Sequence, residues 1–260
     1  MVSISDGEDM HFRKAKFDSS LCIDSCKRPC EDSCPANAIT TLGVIEDKCY
    51  GCGRCLCACP INLINTIDHS TEINEIGQLL SKSNPDAIEI HTAPGRNEKF
   101  EIIVKSIMKS NITPKRIAVS SGLHDYKINH KQLADELWMR FLCLRKYDLK
   151  PIWQLDGRPM SGDLGKATAK SSIYLMRKMQ AIIPPGPIQL AGGTNSNTID
   201  FLEDYEIPDG IAFGSVARKI IQPYIDLANS KQASLLDCPE ILHKALDAAR
   251  SLIDPWLKRA

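Results

Sequence analysis

Nine of the eleven cysteines lie between Cys22 and Cys59, in two successive runs that each close on Cys-Pro. The first reads Cys22-x3-Cys26-x3-Cys30-x3-Cys34-Pro35, and the second Cys49-x2-Cys52-x2-Cys55-x3-Cys59-Pro60, with Cys57 as an extra thiol inside it. The second run matches the bacterial ferredoxin ligand pattern, and the first is a looser version with one more residue in each early gap. Thiolates are soft ligands that suit iron, and two such runs supply enough of them for two [4Fe-4S] clusters.

In two-cluster ferredoxins the fourth cysteine of each run ligates the other cluster, because the turn at its proline points it away from the loop that wraps the first three. Applied here, one cluster takes Cys22, Cys26, Cys30 and Cys59, and the other takes Cys34, Cys49, Cys52 and Cys55. The exchange places the clusters close together, which favours electron passage. The looser first run also admits a [3Fe-4S] cluster. Zinc accepts four-cysteine sites too, but two zinc sites do not call for paired Cys-Pro ends. A disulfide knot requires an oxidising compartment, and the N-terminus lacks the basic start and apolar core of a signal peptide, so the chain reads as cytoplasmic. Cys57 could replace Cys55, although the spacing favours Cys55. The isolated Cys143 and Cys238 read as packing residues.

The elements that must carry this module begin with a strand-like VSIS. The expected division is residues 1–16 as first strand and lead-in, 17–69 as a ferredoxin-like module, and 70–260 as an α/β domain. From about residue 70 onward, β-branched runs alternate with amphipathic helical patterns: strands at Ala87–Thr92, Arg116–Gly122, Pro151–Gly157, Pro187–Gly193 and Gly210–Val216. That alternation predicts a parallel sheet with right-handed crossovers, and the fold class expected is a (β/α)8-type barrel interrupted by the cluster module. Six strands are legible where a closed barrel needs eight, and the strand directly after Met1 leads to the expectation that the chain begins two βα units into the fold. Lys and Arg balance Asp and Glu at 32 each, so no basic field advertises nucleic acid, and no apolar run is long enough for a membrane span.

Loops after the last strands of such barrels often bind phosphate through backbone N–H groups. Gly192, Gly193 and Asn195 follow one strand, and Gly214 and Ser215 follow the next. Together they form a possible phosphate site for FMN, with the alternative that the glycines merely permit tight turns. Polar residues at strand ends extend the candidates to His91, His124, Asp156, Arg158 and Asp163. Their bland readings are hydrogen-bonded turns for the histidines, an ion pair for Asp156 and Arg158, and a helix cap for Asp163. The DGRPMSGD segment ranks first among them, since an acid, a base and two glycines on one loop can place an anion. No nucleophile–base pair, GxGxxG or P-loop motif is present.

Taken together, SDGEDMHFRKAKFD, the double cysteine run, EIHTAPGR, SSGLHD, WQLDGRPMSGDLGKATAK, LAGGTNSNT and GIAFGSVARK resemble the cyanobacterial light-dependent period (LdpA) family over nearly the whole chain. That resemblance implies a barrel-type domain with a ferredoxin-like insert, and redox input to the circadian clock through clock-input or electron-transfer partners. Three functions are therefore weighed: a redox sensor without a substrate; an oxidoreductase in which the clusters feed a flavin; and a scaffold whose C-terminal helix, with Leu242, Leu246 and Leu252 on one face, binds partners.

Overall fold

The computed structural model describes residues 1–7, 12–68, 73–110, 112–123, 127–159 and 165–259, and of residues 73 and 74 the backbone alone. Strand β1 (Val2–Ser5) leads into an insert of β2 (Arg13–Lys16), α1 (Pro29–Asp32), the hairpin β3 (Ile39–Thr40) and β4 (Gly43–Val44), α2 (Arg54–Ala58) and β5 (Asn65–Asp68). The order β-α-β-β-α-β is the ferredoxin-like sequence of elements. Strands β2 and β5 pair antiparallel from Arg13↔Asp68 to Lys16↔Asn65. The module's sheet thus starts at Arg13, four residues ahead of the expected start at 17.

The chain then alternates: α3 (Ile73–Ser83), β6 (Ala87–His91), α4 (Asn97–Lys109), β7 (Arg116–Ser121), α5 (His130–Arg145), β8 (Pro151–Asp156), α6 (Lys170–Met179), β9 (Ile188–Ala191) and β10 (Gly210–Ile211). Two long helices close it, α7 (Ser215–Ser230) and α8 (Pro239–Leu257). The sheet order is β1-β6-β7-β8-β9-β10, six strands in parallel. β1 pairs directly with β6, so the insert interrupts a continuous sheet between neighbouring strands.

The expectation is a (β/α)8-type barrel begun two βα units in; among the described residues the sheet has six strands and no barrel closes, since β1 and β10 are unpaired edges of an open sheet. Strand order never reverses, so right-handed crossovers must place the helices on one face. The register agrees. Ile88, Ile90, Ile117, Val119, Trp153, Leu155 and Leu190 share a core with buried residues of α3 to α6. In α4, Phe100, Ile103, Val104 and Ile107 supply the apolar stripe at i, i+3, i+4 and i+7. Helix α5 starts at a reciprocal capping box, Asn129 accepting from the Gln132 N–H at 3.0 Å and Gln132 accepting from the Asn129 N–H at 2.9 Å. Trp153, fully buried, donates its indole N–H to the Pro184 carbonyl at 2.9 Å.

Alternation sends the other residues of each strand to the opposite face: Ser3, Glu89, His91, Ser120, Gln154 and Asp156. At the end of β8, Gly157 is held against α6, where an added Cβ would lie 2.1 Å from the Ser172 backbone nitrogen. Because both sides of that contact are backbone, Gly157→Ala is expected to cost about 3 kcal/mol or more in urea unfolding. Retention of wild-type stability would show that β8 and α6 can part at no cost.

Candidate metal centre

The short helices of the insert place the cysteines. Pro29 opens α1, which carries Cys30 and delivers Cys34 just past its end; α2 carries Cys55 and delivers Cys59. After each of these last cysteines the chain repeats one device, Cys34-Pro35-Ala36-Asn37 and Cys59-Pro60-Ile61-Asn62. Asn37 and Asn62 both adopt the left-handed conformation, at φ 48° and 51°. That turn aims a later N–H back at the sulfur: Ala38 N–H at Cys34 Sγ, 3.2 Å, and Leu63 N–H at Cys59 Sγ, 3.3 Å. Asparagine is one of the few non-glycine residues that tolerate this geometry.

A small cavity of about 20 Å³ is lined by Cys34, Cys49, Cys52 and Cys55. It therefore joins the last cysteine of the first run to three of the second. The loop wraps this space because Gly51 and Gly53 take φ 75° and 79°, a region closed to most side chains. The Ala15 N–H of β2 points at Cys49 Sγ at 3.4 Å. Cys55 is buried on the cavity wall, and Cys57 is exposed.

The first run is gathered around Arg28, which takes the left-handed conformation at φ 53°. Its N–H meets Cys26 Sγ at 3.4 Å and its guanidinium meets Cys22 Sγ at 3.8 Å. The same side chain pairs with Glu31 at 2.5 Å and reaches the Thr40 carbonyl. Cys30 feels the charges of Arg28 and of Cys59. The looser spacing thus accommodates a cation among the thiols, where the second run uses glycines. Sequence reasoning missed Arg28, and a basic residue immediately before Pro29 was the available signal.

The electrostatics fit a cationic occupant. Burial, and then the charges of Cys52, Cys49 and Cys34, push the Cys55 thiol up to about 11. Burial also raises Cys30 and Cys52. Cys59 goes the other way: burial opposes ionisation, but the N–H groups of Ile61, Leu63, Ile64 and Asn62 prevail and lower it. Four neighbouring thiols cannot all ionise unaided, whereas coordination to a cation deprotonates them outright. Among the described residues no three His, Cys, Asp or Glu side chains converge as a single ion requires. A zinc ion at about 2.3 Å from each sulfur would hold its thiolates roughly 3.8 Å apart. Four cysteines around one cavity without that convergence suit a multi-iron cluster instead.

The α/β-domain candidates divide. His91 and Asp156 meet on the sheet's polar face: His91 Nε2 lies 3.2 Å from Glu89, His91 Nδ1 lies 3.4 Å from Ser120 Oγ, and Ser120 donates to Asp156. Ser3 and Gln154 also donate to Glu89, which sequence reasoning missed. Phe12 of the insert packs edge-on to His91 at 5.9 Å. Gly192 and Gly193 are in the left-handed region, but added Cβ atoms would strike the Arg158 and Thr168 carbonyls at 2.6 Å. The Asn195 amide is spent on the Gly165 and Lys166 carbonyls and the Thr168 hydroxyl at 3.0–3.2 Å. The Cβ side of that turn is thus filled by its own chain. Ser215, by contrast, faces the insert and is hydrogen-bonded to Tyr50, beside the open Gly214. His124 and Asp163 lie outside the described residues.

Burial alone would raise the Glu89 carboxyl, but the bond and charge of His91, with Ser3 and Gln154, hold it down to about 2 from an ordinary 4.5. A depressed folded-state pKa gives stability that is present above pH 4.5 and lost as pH falls toward 2, here on the order of 2–3 kcal/mol. Acid unfolding followed by circular dichroism should show this loss, and Glu89→Gln should flatten it. An unchanged acid limb in the variant would refute the assignment.

No described helix is long and apolar enough to cross a membrane. The LdpA Fe-S cluster-binding domain matches residues 22–70, and the light dependent period A C-terminal domain matches residues 79–255. Light dependent period A of Synechococcus elongatus is 38% identical over 268 aligned positions, covering 100% of this chain and 74% of that protein. The ferredoxin-type protein NapF of Haemophilus influenzae is 44% identical over 50 residues, covering 16% of this chain and 28% of its own. No solved structure matches. Two domain matches in the order of insert and α/β unit, with identity along the entire chain, establish that this protein belongs to the light dependent period A family and carries its iron–sulfur cluster-binding domain.

Proposed function

We propose that this protein is a redox sensor or electron-transfer protein with two [4Fe-4S] clusters, one held by Cys22, Cys26, Cys30 and Cys59, the other by Cys34, Cys49, Cys52 and Cys55. The observation that carries the reading is the exchange between runs: Cys34 lines one cavity with Cys49, Cys52 and Cys55, while Cys59 neighbours Cys30. When bound, such clusters supply one-electron chemistry. The chain's own residues set the conditions. N–H groups of Ala15 and Ala38 point at sulfurs of one set, those of Arg28 and Leu63 at sulfurs of the other, and hydrogen bonds to the sulfurs tune the potential. The Arg28 guanidinium adds a positive charge beside the first set.

Family membership, and the name of the Synechococcus relative, support a role in conveying light-dependent redox state to the circadian clock in the cytoplasm. Sequential strand order and a single helix-bearing face support reading the sheet as part of a (β/α)8-type arrangement. The flavin-dependent oxidoreductase has less support, because the Cβ side of the Gly192–Gly193 turn is filled. Iron and acid-labile sulfide per chain, with paramagnetic resonance during a redox titration, test the proposal. Two reducible signals within cellular potentials are expected; centres that cannot be reduced there would reject the sensor, and flavin bands in the absorbance spectrum would favour the enzyme.

A further inference from the structure

A second cavity, of about 270 Å³, opens between the insert and the start of α7. Four cations line it, Lys14, Lys48, Arg218 and Lys219, and Asp47 is the single carboxylate among the lining residues. Lys48 pairs with Asp226 at 3.2 Å. Lys14 is held by the neutral carbonyls of Glu46 at 2.7 Å and Cys49 at 2.5 Å, which leave its charge uncompensated. Arg218 lies over the Tyr50 ring at 4.8 Å. Among the described residues neither Arg218 nor Lys219 has a carboxylate partner. Four cations thus face two carboxylates, Asp47 and Asp226, an excess of two positive charges. The amino end of α7 adds to it: Gly214 leaves open space, and no side chain caps the first turn.

We infer that this cleft binds a small polyanion carrying at least two phosphate groups, such as a nucleoside diphosphate. The charge excess calls for more than one negative charge on the ligand. A concavity of about 270 Å³ lies at the small end of small-molecule sites, roughly 300–1,000 Å³, and favours a small ligand over the flat face of an acidic protein.

The location gives binding a consequence. Ala36, Cys49 and Tyr50 line both this cleft and the cavity of the second cysteine set. A polyanion held here puts negative charge one residue's thickness from that set and disfavours an added electron. By linkage it binds the oxidised protein more tightly than the reduced, and a tenfold difference lowers the midpoint potential by about 59 mV. This coupling rests on the iron–sulfur reading, whereas the binding does not.

Calorimetric titration of the anaerobically purified holoprotein with adenosine diphosphate, pyrophosphate and inorganic phosphate tests the site. The first two are expected to bind at least tenfold more tightly than inorganic phosphate. The exposed pair Arg218→Ala/Lys219→Ala should weaken both at least tenfold, and Lys244→Ala, exposed on α8, should leave them unchanged. Equal affinity for the two assigns recognition to the phosphates; tighter adenosine diphosphate assigns it to a nucleotide, and either supports the site. Absence of binding, binding undiminished in the double variant, or capture of an acidic protein with no affinity for the small anions would overturn it. A midpoint that stays fixed at saturating ligand rejects the coupling alone, and a holoprotein without iron rejects the iron–sulfur reading while the calorimetry still decides the cleft.

Discussion

Replacing Cys55 by serine is expected to remove roughly half of the bound iron, with loss of one of two resonance signals, because one of two four-cysteine sets is broken. Cys57→Ser should retain all of it. The contrast follows from placement: Cys55 is 7% exposed on the cavity wall, and Cys57, two residues on, faces solvent. Cys34→Ser gives the sharper result. It lies in the first run by sequence and in the second set by space, so the signal it removes should be the one Cys55→Ser removes. Loss of the other signal would mean that each run serves its own cluster, and the exchange would be wrong.

Stripping iron with a chelator under reducing conditions should unfold the insert and spare the parallel sheet. The insert's core comprises Ala15, Cys30, Ala38, Ile39, Cys49, Cys55, Cys59 and Ile64, so half of its buried residues are expected ligands. Few apolar side chains remain to hold it, and metal binding is then largely folding free energy. The sheet has an independent core in which Trp153, Phe100 and many aliphatic residues are fully buried. Hydrogen exchange should therefore show amide protection falling by at least about 100-fold over residues 13–68 with little change in β6 to β8. Equal loss in both regions would show that the sheet depends on the insert, and equal retention would show the metal to be dispensable to the fold.

Much of this was legible because the signals are local. A cysteine run is readable wherever ligand spacing is set by a loop, and β6, β7 and β8 were legible since alternating β-branched residues mark strands buried on a helix-bearing face. Helix α3 went unread although Ile76 and Leu80 sit at i and i+4, because its polar flank resembles a linker. Arg13–Lys16 read as lead-in, since RKAK has no apolar pattern and becomes a strand only by pairing with Asn65–Asp68. Gly192 and Gly193 looked like an anion cradle, and what fills their open side comes from Arg158 and Thr168, distant in sequence.

The amino-acid sequence alone thus determined the metal chemistry, the number of cysteine runs and the alternation of the α/β unit, all properties of ligand type and short-range period. Tertiary structure added what spacing leaves open: the cavity that Cys34 shares with Cys49, Cys52 and Cys55, the exposure of Cys57, the place of Arg28 among the first thiols, and the cationic cleft beside the second set. The cleft depends on Lys14 and Arg218 being brought together across most of the chain, and no spacing within a run encodes such a distance.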